Sequence, residues 1–154
     1  MAQFQTVALG GTFDVIHKGH MALLSKAFSI SSHVIIGLTG DELASKKGKS
    51  ITNNYQKRHD TLSLEIKKNF PNCSFKISKL DDDFGPAAIE GKVDALVVSE
   101  ETSNKGEILN KLRHDKNLPP VKIIVVPMVL AKDGSRISTT RIRDSEIDVD
   151  GNLL

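Results

Sequence analysis

Three short runs in this chain are apolar almost without interruption: Val34-Ile35-Ile36-Gly37-Leu38, Ala95-Leu96-Val97-Val98 and Ile123-Ile124-Val125-Val126. A strand with one wet face alternates apolar and polar residues. A strand that does not alternate is buried on both faces, and such strands belong to parallel sheets sandwiched between crossover helices. The residue pattern predicts strands over 6–10, 33–39, 74–79, 95–99 and 122–129. Between them it predicts helices over 20–30, 54–69 and 104–114, a short one over 85–91, and a last one opening at Ser138 and running to 145. Leu62, Ile66 and Phe70, spaced four apart, form the core stripe of the second helix. Ile108, Leu109 and Leu112 are expected to face inward from the helix at 104–114. This βα alternation predicts a single doubly wound, Rossmann-like α/β domain over 1–154 with a five-stranded parallel sheet. In such sheets ligands bind beyond the carboxyl ends of the strands, near the switch in strand order.

The segment at that position after the first strand is Gly10-Gly11-Thr12-Phe13-Asp14-Val15-Ile16-His17-Lys18-Gly19-His20. Two glycines at a strand end let backbone come close to a ligand. His17 and His20 are three apart, which puts them on one face of a helical first turn. Unpaired backbone N–H groups at a helix start favour anions. Imidazoles and free N–H groups together point to a phosphate site and to chemistry on a nucleoside triphosphate. His33, His59 and His114 have no such context and read as structural. With no third ligand close in sequence, no protein-held metal is expected at the histidine pair.

The remaining properties narrow the field. The 154 residues suit one domain, and a net charge of +2 gives no general case for nucleic acid. Any positive field is local, and Lys46-Lys47-Gly48-Lys49 is its candidate. The single cysteine, Cys73, cannot make an internal disulfide and reads as half-buried. No apolar run approaches a membrane span, and the N-terminus has no basic n-region or apolar h-region. A cytoplasmic protein with no membrane partner is expected. Asp81-Asp82-Asp83 reads as a solvated loop. The tail from Asp148 either packs or frays.

The Gly10–His20 stretch resembles the first signature of the nucleotidylyltransferase superfamily, a GTFD segment followed by His-x-Gly-His. Ile137-Ser138-Thr139-Thr140-Arg141-Ile142-Arg143 resembles its other signature. Two further segments bring the chain nearest to the archaeal type of phosphopantetheine adenylyltransferase. Val97-Val98-Ser99-Glu100-Glu101-Thr102 resembles that family's Val-Ser-x-Glu-Thr segment. Asp133-Gly134-Ser135-Arg136-Ile137-Ser138 resembles its approach to the last helix, and the Arg-Thr-Glu-Gly lead-in of cytidylyltransferases is absent. Ser145 stands where the family usually has Gly.

The resemblance implies transfer of adenylyl from ATP to 4′-phosphopantetheine, giving dephospho-CoA and pyrophosphate, with dephospho-CoA or CoA as a further ligand. Mg²⁺ is implied with the ATP, held mainly by phosphate oxygens and water. A phosphate nucleophile is already ionised, so the machinery is donors and cations rather than a nucleophile–base pair. His20 would donate to the α-phosphate, with His17 beside it. Gly10, Gly11, Gly19 and Thr12 would meet phosphate groups. The backbone of Phe13 would touch the nucleotide. Asp14 either orients the loop, sits near the substrate phosphate or caps a turn. Lys47, Lys49 and Arg58 fit the superfamily's middle motif as phosphate contacts, with Lys46 a register alternative. Ser99, Glu101 and Thr102 would lie near the adenosine. Ile137, Ser138, Thr139 and Thr140 would hold the β- and γ-phosphates, with Arg141 adding charge; helix capping is their bland reading. Cytidylyltransferases and FAD synthetases share the machinery and are the rival enzymes. A nucleotide-binding sensor is the rival of another class. Oligomeric state stays open.

Overall fold

The computed structural model describes residues 3–48, 51–82, 84–85, 91–127, 129–135, 137–138, 141–142 and 144–154. Lys49, Thr139 and Thr140 lie outside the described residues, as does most of the helix expected over 85–91. Five strands form one sheet: β1 (Phe4–Gly11), β2 (Ser31–Thr39), β3 (Ser74–Leu80), β4 (Ala95–Ser99) and β5 (Lys122–Val126). Their order is β3-β2-β1-β4-β5, and every neighbouring pair is parallel. The chain moves outward from β1 to β3 and then returns to the other side of β1. The switch in order therefore falls between β1 and β4, at the ends of Gly11 and Ser99.

The apolar runs of the inner strands β2 and β4 are largely buried on both sides, as their composition requires, whereas that of the edge strand β5 is not: Val125 is 46% exposed. Val7 and Leu9 of β1, Val34, Ile36 and Leu38 of β2, and Ala95 and Val97 of β4 fill one face. Ala8, Leu96 and Val98 fill the other. Helix α1 (Lys18–Ile30) covers the first face with Leu24, Ala27 and Ile30. Helix α3 (Tyr55–Asn69) joins it with Leu62 and Ile66, while Phe70 packs half-buried at its end. Helix α4 (Asn104–Asp115) covers the second face through Leu109.

Three further expectations differ from the molecule. β5 ends at Val126, because Pro127 has no N–H to continue the ladder. A six-residue helix, α2 (Asp41–Lys46), occupies part of the expected basic loop. On α4 the buried face is Gly106, Leu109 and Arg113, while Ile108 is 49% exposed and Leu112 37%. Arg113 reaches the carbonyls of Pro119 and Gly91, which makes its burial tolerable. No helix among the described residues is long and apolar enough to cross a membrane.

The tail packs rather than frays. Ala131, Ile137 and Ile147 form a small core of their own, and Ile147 bridges Leu153. The Lys18 N–H donates to the Val149 carbonyl at 2.9 Å, tying this C-terminal unit to the start of α1.

Candidate active site

The two histidines close the start of α1 themselves. His17 is the N-cap, in extended backbone, and His20 stands three residues on. The Gly19 N–H donates to Nδ1 of His17 at 3.1 Å, and the His17 N–H donates to Nδ1 of His20 at 3.3 Å. The rings stack with centroids 3.8 Å apart. A backbone N–H can only donate, so both Nδ1 atoms are acceptors and each neutral ring carries its proton on Nε2. The reciprocal cap thus prepares two parallel imidazoles as Nε2–H donors.

That arrangement corrects one expectation. The N–H groups of His17, Lys18 and Gly19 are not open to an anion, because the two rings and the Val149 carbonyl already accept from them. Histidine is an unusual cap, and nothing in the spacing alone announces it. Gly19 has a specific reason to be glycine: a Cβ there would lie 2.9 Å from the His17 ring.

The loop before the helix is equally constrained. Phe13 has a φ of +48° and is buried, its ring tilted against His20 at 4.7 Å. A Cβ on Gly11 would come within 3.0 Å of that ring. Asp14 accepts from the N–H groups of Thr52 and Asn53 at 2.8 and 2.9 Å, which makes it an organiser of the loop. Arg58 departs from its expected place among phosphate contacts. Its side chain is fully buried and donates to Asn53, Thr12 and Thr39 carbonyls and to Asp41. That bond holds the Asp41 carboxyl below the usual carboxylate range. A signal was present: Arg58 lies four residues before Leu62, on the buried stripe.

A cavity of about 310 Å³ opens at the switch point. Ala8, Gly10, Gly11 and Gly37 make the hollow, since small residues there leave the sheet bare. Ile35, Leu80, Phe84 and Val98 give it apolar walls. Lys47, Lys76, Lys105, Ser99 and Thr102 also line it. Of the expected loop cations, Lys47 is thus placed at the cavity, capping the end of α2; Lys46 remains on the helix. Lys76 and Lys105 had no motif to mark them. Ser99 and Thr102 bond to each other at 3.1 Å across a 3₁₀ turn, Glu100–Thr102, which includes Glu101.

In the second motif Ile137 is a buried core residue. The Ser138 hydroxyl accepts from the Arg141 N–H at 3.2 Å, the capping role its type foretold. Arg141 is held by Glu146 at 2.8 Å and by Asp133. These carboxylates, Glu146 foremost, push its already high pKa further up. The Ser135 N–H and then Arg141 hold the Asp133 carboxyl low. Ser145 adopts a φ of +58°, a conformation that explains why glycine suits this position.

The chain matches the cytidylyltransferase-like family over residues 8–145. It is 42% identical over 150 residues to the phosphopantetheine adenylyltransferase of Methanosarcina barkeri, covering 96% of this chain and 91% of that one. It is 38% identical over 154 residues to the phosphopantetheine adenylyltransferase of Pyrococcus horikoshii, covering 99% and 96%. Among solved structures it resembles a protein of unknown function from Archaeoglobus fulgidus. There the TM-score is 0.72 at 26% identity, over 79% of this chain and 89% of that one. With the histidine cap and the switch-point cavity in place on a matching fold, the chain belongs to the phosphopantetheine adenylyltransferases of the cytidylyltransferase-like family.

Proposed function

We infer that this protein transfers the adenylyl group of ATP to the phosphate of 4′-phosphopantetheine. An oxygen of that phosphate forms a bond to the α-phosphorus, the bond to the β-phosphate oxygen breaks, and pyrophosphate leaves with the electron pair. The products are dephospho-CoA and pyrophosphate, a step of coenzyme A synthesis.

The stacked pair His17 and His20 carries this reading. Two Nε2–H donors fixed in one tautomer suit oxygens whose negative charge grows in the transition state. They need not take a proton from the nucleophile. The cavity supports the choice of second substrate: apolar walls with lysines among the lining residues suit a long arm ending in phosphate better than a small polyol phosphate. Arg141 would exchange a carboxylate for a phosphate oxygen on binding. Ser138, with Thr139 and Thr140, would serve the same end of the triphosphate, and Lys49 would join Lys47. The donor set of imidazoles and lysines fits phosphate rather than a hard cation, so Mg²⁺ is proposed to arrive on ATP with phosphate and water as ligands. A cytoplasmic location follows from such substrates.

The test is pyrophosphate release with Mg-ATP and 4′-phosphopantetheine, beside Mg-CTP with glycerol 3-phosphate and Mg-ATP with FMN. Release in the first mixture alone, with dephospho-CoA formed, is expected. Release only in another mixture would keep the mechanism and replace the substrate. Silence in all three with ATP still bound would favour a sensor.

A further inference from the structure

Arg58 is a buried cation with a single carboxylate partner, Asp41, whose own side chain is half exposed. An apolar residue on that stripe would fill the core with less desolvation. What the guanidinium does instead is join elements that the sheet no longer joins. The β1–β2 register ends at Gly11 and Leu38. Beyond it the Thr39 hydroxyl donates to the Gly11 carbonyl at 3.1 Å. Arg58 Nη1 then bridges the carbonyls of Thr12 and Thr39 at 2.9 and 2.7 Å, and Nε reaches that of Asn53 at 3.0 Å. Asn53 returns the tie, its Nδ2 donating to the Asp14 carbonyl at 3.0 Å while its N–H meets the Asp14 carboxylate.

Between Thr12 and Asp14 sits Phe13, whose positive φ is unfavourable for a residue with a bulky side chain. Such a conformation persists where its surroundings over-determine it. Here both neighbours are pinned, and the ring that results leans on His20, which stacks on His17. We propose that Arg58 is a positioning residue: with Asp14 it clamps the Thr12–Asp14 turn, and through the Phe13 ring it fixes the orientation of the two histidine donors. The proposal rests on the reading of His17 and His20 as donors to phosphate. It places Arg58 behind the reaction, not in contact with it.

Arg58→Lys keeps the charge but cannot reach three carbonyls and a carboxylate at once. In the full chain, kcat with ATP and 4′-phosphopantetheine should fall about 10²-fold, the scale of a small misplacement at the reacting centre. KM for each substrate should stay within about threefold of wild type. Imidazole nitrogen spectra should show wild-type His17 and His20 as Nε2–H tautomers and the variant as a mixture. Thr39→Val, which removes only the bond to Gly11, should lower kcat about fivefold, as one hydrogen bond is worth. If Arg58→Lys does not fold, Arg58→Gln, which keeps an amide donor on the stripe, carries the same kinetic and nitrogen-spectrum test. Unchanged kcat and unchanged nitrogen signals in the folded variant would overturn the clamp. So would a KM for ATP raised about tenfold with kcat kept, the mark of a direct phosphate contact. If wild type makes no dephospho-CoA, the functional reading fails, and the nitrogen spectra still judge the clamp.

Discussion

At the scale of single residues, His20 and Gly19 separate catalysis from support. His20→Ala removes one Nε2–H donor and should slow turnover by about 10²–10³-fold, the range for one such donor. Steady-state kinetics check this, and a loss below about threefold would end its catalytic role. Gly19→Ala removes no functional group. Its added methyl would meet the His17 ring at 2.9 Å, so the ring must swing off its cap. We expect kcat to drop roughly tenfold or more while α1 stays folded, because a displaced donor acts at the reacting centre. Circular dichroism beside kinetics separates the outcomes; full activity would mean that His17 yields without consequence. The spacing of the histidines and the glycines was legible in the sequence. That the histidines cap their own helix was not, because capping depends on ring rotamers that no spacing records. Arg58 was misplaced for a related reason. Sequence places this cation near a loop and also on the Leu62–Ile66 stripe, and only the structure shows that its donors point into the backbone.

Among elements, strands were easier to read than helix faces. Continuous apolar runs mark parallel strands, although burial on both faces holds for β2 and β4 and not for the edge strand β5, and four of the five strands match their expected spans closely. The fifth overran into Pro127, whose missing N–H should have ended it. Helix α2 was missed because six residues flanked by Gly40 and Gly48 carry too little periodicity to distinguish from a loop. The face of α4 was misread because Ile108 and Leu112 look like a core pair, whereas Gly106 lets the helix sit close on β5. A Cβ at Gly106 would stand 2.5 Å from Ile123 Cδ1 and 2.7 Å from Cγ1. Two effects oppose each other in Gly106→Ala. Helix propensity would gain about 1 kcal/mol, and overpacking would cost about 1–3 kcal/mol. Because three atoms of Ile123 crowd the site, rotation alone does not clear it, and the cost should win. Thermal melts should show a lower Tm, with Gly106→Ala and Ile123→Ala combining to less than the sum of their losses. A raised Tm would show that β5 gives way and that close approach is not demanded.

Across the whole molecule, the second motif is carried by a C-terminal unit that the sheet does not hold. Among the described residues its buried core is Ala131, Ile137 and Ile147, and the Lys18 N–H to Val149 carbonyl hydrogen bond ties it to the first motif. Two carboxylates add hydrogen bonds within the unit. Asp148 is held below the usual carboxylate range by the Asn152 side chain first and by the Asn152, Asp150 and Gly151 N–H groups. Asp133 is held low by the Ser135 N–H and then Arg141. A carboxyl with a depressed folded value binds fewer protons folded than unfolded, so it stabilises the fold above its unfolded pKa of about 3.9. That support is lost as pH falls through the folded value. Asp133 and Asp148 lie in the C-terminal unit and Asp41 lies beside Arg58 near the first motif, so acid should loosen both sides of the site, and ATP affinity should fail before the far-ultraviolet signal does. Asp148→Asn tests the electrostatic part. It should lower Tm by a constant amount above about pH 5, and the gap should close as pH falls toward about 2, where wild type is protonated too. A gap unchanged across that range would assign Asp148 a role in packing rather than charge. The C-terminal unit would then depend on packing around Ala131, Ile137 and Ile147 and on the Val149 tie to α1.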